Sequence, residues 1–236
     1  MISRRQTFKS MVGFAALTTA AVSAVQAQDS CAVLTKESQT ATTPDAALKR
    51  LVDGNARFVA GKTVNCDLMK QVKETAYQQS PTAVVVGCID SRVPPELVFD
   101  QRIGDIFSAR VAGNFVNTDI LGSLEFATAA AGSKLIVVLG HSECGAIKGA
   151  VDDVKLGNLT SMLANIRPSL AKLNYVGVPS SKNKELVQKV ADQNAKDAAA
   201  MIMSKSPVIA DLVKAGKVKI VSAMHDIGTG KISFFA

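Results

Sequence analysis

Residues 83–92 read AVVVGCIDSR, and residues 135–145 read LIVVLGHSECG. Each begins as an unbroken apolar run with no polar alternation. Each then turns abruptly polar: Cys88, Asp90 and Arg92 after the first run, His141, Glu143 and Cys144 after the second. An apolar run this short and this continuous predicts a strand buried on both faces, as in a parallel sheet covered by helices. Ligands of such sheets bind at the carboxyl ends of the strands, where both polar clusters fall.

Working outward, the same pattern recurs. Strands are predicted at 82–87, 106–111, 135–139 and 218–224, with a last edge strand at 231–235. Helical segments fall between them, at 119–131, 159–173 and 183–204, and Pro94-Pro95-Glu96 can open a short one. A further helix precedes the first strand: Thr43 can cap it, Pro44 suits its first position, Asp45 adds an acid to its first turn and Gly61 ends it. Residues 62–79 form a polar connection with a short helix. The alternation defines an α/β protein, a single domain over residues 44–236 with a mostly parallel central sheet flanked by helices. No internal repeat is present, and neither Gly140-Gly145-Gly149 nor Gly228-Thr229-Gly230 has the spacing of a phosphate loop.

The chain of 236 residues has a formal net charge of +7. Its start reads as an export signal over residues 1–27: a basic Ser3–Lys9 segment, an apolar Met11–Val25 segment and small residues before a cleavage point after Ala27. The Arg4-Arg5 pair resembles a twin-arginine signal, with an ordinary secretory leader as the alternative. The expected location is periplasmic or secreted. Removing Arg4, Arg5 and Lys9 leaves 24 basic against 20 acidic residues, a net of +4. That modest charge, with no Trp and two Tyr, argues against nucleic acid as a partner. No mature stretch is apolar enough to span a bilayer, so no stable membrane association is expected after cleavage. Residues 28–43, rich in Ser, Thr and Gln, read as a flexible arm.

Four cysteines and two histidines are available. Cys88, His141 and Cys144 stand at strand ends, and two thiolates with one imidazole form a soft donor set that favours one tetrahedral Zn2+. Three protein ligands leave a fourth position open, as catalytic zinc sites do. A buried pair of core thiols, or a disulfide, is the plainer alternative for Cys88 and Cys144. Asp90 and Arg92, two apart, point the same way in an extended segment. A bidentate pair between them would hold the carboxylate off the metal and leave it free to accept a hydrogen bond from metal-bound water. Released, Asp90 could become the fourth ligand. Cys31 and Cys66 lie outside the clusters and can form a disulfide that ties the arm to the body. His225 reads as structural.

Cys88-Ile89-Asp90-Ser91-Arg92 together with His141-Ser142-Glu143-Cys144-Gly145 resembles the signature of the β-class carbonic anhydrases. Gln79-Ser80-Pro81, Val93-Pro94-Pro95-Glu96 and Arg110-Val111-Ala112-Gly113-Asn114 extend the resemblance, which runs from the first helix to the end. It implies reversible hydration of carbon dioxide to bicarbonate and a proton. It implies one zinc held by Cys88, His141 and Cys144, a catalytic dyad of Asp90 and Arg92, and substrate contacts from Gln79 and the Gly145 amide. A homodimer or higher homo-oligomer is implied too, with the site near the subunit interface and open to Gln79 from the partner. Hydrolysis of carbonyl sulfide or carbon disulfide on the same fold is the enzymatic alternative, and an inactive zinc-binding scaffold is another. Some members are regulated by bicarbonate at a second site that uses a Trp, which this chain lacks.

Overall fold

The computed structural model describes residues 31–235, so the leader reading, residues 1–27, lies outside the described residues. Three helices precede the sheet: α1 (Lys36–Ala41), α2 (Pro44–Val59) and α3 (Leu68–Thr75). The strands are β1 (Ala83–Gly87), β2 (Ile106–Arg110), β3 (Leu135–His141), β4 (Lys219–His225) and β5 (Ile232–Phe234). They form one sheet in the order β2-β1-β3-β4-β5. The first four are parallel, and β5 closes the edge antiparallel to β4.

Every residue of β1 and β3 is buried, as the continuous apolar runs require. Ala83, Val85, Val137 and Leu139 face Leu51 of α2 and Val98 of α4 (Pro95–Val98). Val84, Val86, Ile136 and Val138 face the other way. There they meet Leu124 of α5 (Thr118–Glu125), Ala195 and Ile202 of α9 (Lys184–Lys205) and Ile209 of α10 (Pro207–Lys214). A third apolar cluster caps the carboxyl end of the sheet. It combines Cys88 and Cys144 with Ile147 of α6 (Gly145–Val151), Leu163 of α7 (Gly157–Leu163), Ile166 just before α8 (Arg167–Lys172), and Val190.

From β1 the chain moves to one side to make β2, then crosses to the other side to make β3. The strand order therefore reverses between β1 and β3, and the crevice beyond their carboxyl ends is where such sheets bind ligands. Cys88 follows β1, and His141 ends β3.

Several expectations are corrected. The described part of the arm, residues 31–43, contains a helix and packs on the body. Thr35 caps α1 in a reciprocal box with Ser38, and the buried Gln39 donates to the Pro81 and Ala131 carbonyls (2.8 and 3.0 Å). Cys31 and Cys66 form the disulfide that joins this segment to the loop before α3. The helix expected over 159–173 is two, α7 and α8, interrupted between Leu163 and Arg167. The predicted helix at 119–131 begins as α5 and continues as a wider-wound π turn over Phe126–Ala130. Helices α6 and α10 are additional to those the sequence pattern predicts.

Candidate metal centre

Parallel pairing aligns Gly87 with Leu139, so Cys88 emerges beside the last residues of β3. Cys88, His141 and Cys144 are all buried, and their ligand atoms lie within 4.8 Å of one another. The two sulfurs are 4.0 Å apart. A disulfide requires about 2.05 Å. Two thiolates on one tetrahedral zinc, at 2.3 Å each, stand about 3.8 Å apart.

The histidine is prepared for the same task. Its Nδ1 lies 2.9 Å from the Ser142 carbonyl, an acceptor only, so Nδ1 carries the proton. Nε2 then presents a lone pair, and it is buried without a protein hydrogen-bond partner. An orphaned nitrogen facing two thiols is the observation by which zinc fits this pocket.

Both sulfurs have donors around them. The Gly113 amide donates to Cys88 Sγ (3.3 Å), and the amides of Ala146 and Ile147 face Cys144 Sγ. Gly113 sits at φ +82°, and a Cβ there would come within 2.5 Å of Ile166 Cδ1, so glycine is required at this approach. Asn194 of α9 fixes the turn by donating to the Gly113 carbonyl (2.8 Å). Without a metal, the hydrogen bond from Cys144 favours the thiolate at Cys88 despite burial, and lowers its pKa. The same bond, with burial, pushes the Cys144 thiol up. A cation held there would favour the thiolate at both.

Asp90 borders the pocket. Arg92 grips its carboxylate by two side-chain bonds, Nε to Oδ1 (2.9 Å) and Nη2 to Oδ2 (2.7 Å), and the Arg92 amide adds a third to Oδ1 (3.0 Å). These bonds, chiefly the side-chain ones, hold the Asp90 carboxyl well below the usual carboxylate range. Oδ2 stands 3.9 Å from His141 Nε2, facing the Cys88–His141–Cys144 group. Gly145 opens α6 directly after Cys144 and is exposed, and a Cβ there would meet nothing within 4 Å.

Cys88, Asp90, Arg92, His141, Cys144 and Gly145 thus share one end of the sheet. Gln79 does not join them. It is exposed and precedes β1, so the five residues of that strand, roughly 16 Å, separate it from Cys88 in the same chain. His225 pairs with His141 across β3 and β4, is buried, and finds no partner for either ring nitrogen among the described residues. Burial, and then the neighbouring His141, lower its pKa. Arg110, the first residue of the Arg110–Asn114 motif, also reaches this end of the sheet, donating to the Cys88 and Asp90 carbonyls. Its position at the last residue of β2, beside the end of β1, is the signal that places it here.

Comparison with known proteins agrees with this arrangement. The carbonic anhydrase family model matches residues 83–232. A carbonic anhydrase of Mycolicibacterium smegmatis is 35% identical over 195 residues, covering 80% of this chain and 92% of the relative. Carbonic anhydrase 2 of Mycobacterium tuberculosis is 33% identical over 196 residues, with the same two coverages. Among solved structures, a tetrameric β-carbonic anhydrase of Sordaria macrospora matches with a TM-score of 0.61 at 26% identity, over 71% of this chain and 90% of that one. The Coccomyxa β-carbonic anhydrase, solved with acetazolamide, shares the fold with a TM-score of 0.63 at 22% identity, over 80% and 86%. The chain belongs to the β-class carbonic anhydrase family.

Proposed function

We infer that this chain is a carbonic anhydrase, a lyase that interconverts carbon dioxide and water with bicarbonate and a proton. The observation that carries the reading is the buried Cys88–His141–Cys144 group with the Arg92-held carboxylate of Asp90 on its border. Cys88, His141 and Cys144 would hold one Zn2+. When bound, the ion supplies a nucleophile by lowering the pKa of water.

The chain's own residues do the rest. Asp90 stays ionised at neutral pH and is an acceptor only, so it orients a water hydrogen and aims the oxygen lone pair at substrate. Arg92 keeps that carboxylate from swinging inward. The exposed Gly145 amide, at the first turn of α6, is placed to donate to a developing oxyanion. Gln79 would contribute its amide from a partner subunit, since its own chain holds it at the opposite end of β1.

A homodimer or larger assembly fits the surface. β2 is an edge strand, and Ile103 just before it is exposed, as are Leu97 of α4 and Phe126, which packs edge-on to Phe107 of β2. Export to an oxidising compartment is supported by the Cys31–Cys66 disulfide, a bond that reducing cytosol disfavours. Fractionation with N-terminal sequencing tests it: a mature chain beginning at Gln28 outside the cytoplasm is expected, and an uncleaved cytoplasmic chain overturns it.

Stopped-flow hydration of carbon dioxide, with zinc measured on the same sample, tests the activity. Fast hydration with about one zinc per chain is expected. Cys88→Ser should lose both metal and activity, whereas Asp90→Asn should keep zinc and lose roughly 100-fold or more in kcat. A fully zinc-loaded protein without hydration from mildly acidic to alkaline pH would overturn the assignment.

A further inference from the structure

We propose that Arg110 is a positioning residue whose guanidinium, forked between the main-chain carbonyls of Cys88 and Asp90, keeps the Asp90 carboxylate off the metal. The inference rests on the reading of Cys88, His141 and Cys144 as ligands and of Asp90 as the carboxylate that acts beside them.

The hydrogen-bond ladder between β1 and β2 ends where the site begins. Its last main-chain bond runs from the Val111 amide to the Gly87 carbonyl (3.0 Å). The next carbonyls needing support belong to Cys88, a ligand, and Asp90. Arg110 supplies it from its side chain: Nε donates to the Cys88 carbonyl (2.8 Å) and Nη2 to the Asp90 carbonyl (2.6 Å). The Asp90 carbonyl also accepts from the Val93 amide (3.1 Å), which closes the turn over residues 90–93. Arg110 forms no ion pair with any carboxylate among the described residues, so its charge is directed at these two carbonyl dipoles.

Asp90 is therefore held at both ends, its carboxylate by Arg92 and its main chain by Arg110. The two grips do different work. Arg92 fixes a side-chain torsion, which thermal rotation can break and remake. Arg110 fixes the backbone from which that side chain projects, and ties it to the ligand two residues earlier. With Oδ2 already 3.9 Å from His141 Nε2, a small shift of the turn would bring the carboxylate into ligand range. A planar, five-donor fork can span two carbonyls, and a lysine ammonium cannot hold the same geometry.

Replacing zinc by Co2+ in the full mature protein makes the ligand set visible by absorption, and thiocyanate probes whether the fourth position can be exchanged. In the parent protein, thiocyanate should shift the cobalt bands. In R110M, Asp90 should occupy the position, so the bands should differ before thiocyanate is added and the titration midpoint should rise at least tenfold. Hydration should fall with it. R110M/D90N should regain the parent midpoint while remaining slow, because the obstructing carboxylate is gone and so is its function. If R110M does not retain one cobalt per chain, R110K carries the test, with a midpoint raised at least threefold. A parent-like midpoint in the single variant overturns the proposal, and so does a double variant as resistant as R110M. Failure of the underlying reading looks different: the parent itself would neither hydrate carbon dioxide nor respond to thiocyanate.

Discussion

Cys88 Sγ and Cys144 Sγ lie 4.0 Å apart, while Cys31 and Cys66 are joined by a disulfide. One chain thus keeps two cysteine pairs in opposite redox states, and the difference is geometric. Alkylation of metal-replete protein, denatured without reductant, should label Cys88 and Cys144 only. Peptide mapping should recover one disulfide, between Cys31 and Cys66. A Cys88–Cys144 peptide from the metal-replete protein would contradict the assignment.

The disulfide spans 35 residues of sequence and anchors the α1 segment, so Cys31→Ser should cost stability without disturbing the distant metal pocket. The expected loss is about 2–4 kcal/mol. Denaturant melts with zinc analysis check it. Zinc lost in step with stability would show that the segment supports the site as well as the body.

Asp197 gives the structure a pH dependence of its own. Burial opposes its ionisation, but Lys172, Ser169 and Gln193 donate to its carboxylate and, together, lower its pKa. A lowered carboxylate pKa stabilises the fold above the unfolded value near 3.9, and that contribution disappears as pH falls through the folded value. Asp197→Asn should therefore lower Tm by roughly 2–4 °C at pH 7, and the deficit should be smaller at pH 3. An equal deficit at both pH values would mean that packing rather than charge is responsible.

Gly54, on α2, is a packing constraint. A Cβ there would lie 1.8 Å from the Phe99 carbonyl oxygen, and backbone cannot step aside as a side-chain tip can. Gly54→Ala should cost about 3 kcal/mol or more, a drop in Tm of roughly 6–12 °C. Calorimetry decides it, and a loss below 1 kcal/mol would mean that α2 can move away from Phe99.

The legible parts of this sequence were those in which a local pattern and a tertiary role coincide. β1 and β3 are apolar throughout because both faces are covered, and their clusters announce themselves by interrupting that pattern. The fate of residues 31–43 was hidden because a polar residue there does the packing. Gln39 is buried through hydrogen bonds to carbonyls about 42 and 92 positions away, and no periodicity encodes that. Helix α6 was masked by the cluster that precedes it, and its seven residues are too few for a helical stripe. The break between α7 and α8 puts Ile166 against Gly113, a contact visible only in three dimensions. Arg110 has the same explanation: its partners are main-chain carbonyls about 20 residues upstream, and carbonyls have no letter in a sequence.

The two cysteine pairs also impose a chronology. Cys31 and Cys66 need an oxidant to become what the structure shows, and the same oxidant would threaten the thiols at Cys88 and Cys144. Metal binding before oxidation would protect both, because the ion would mask Cys88 and Cys144 while Cys31 and Cys66 pair. A chain that met the oxidant first would risk spending its metal-binding thiols on wrong pairings, so the four sulfur atoms favour one order of assembly over the other.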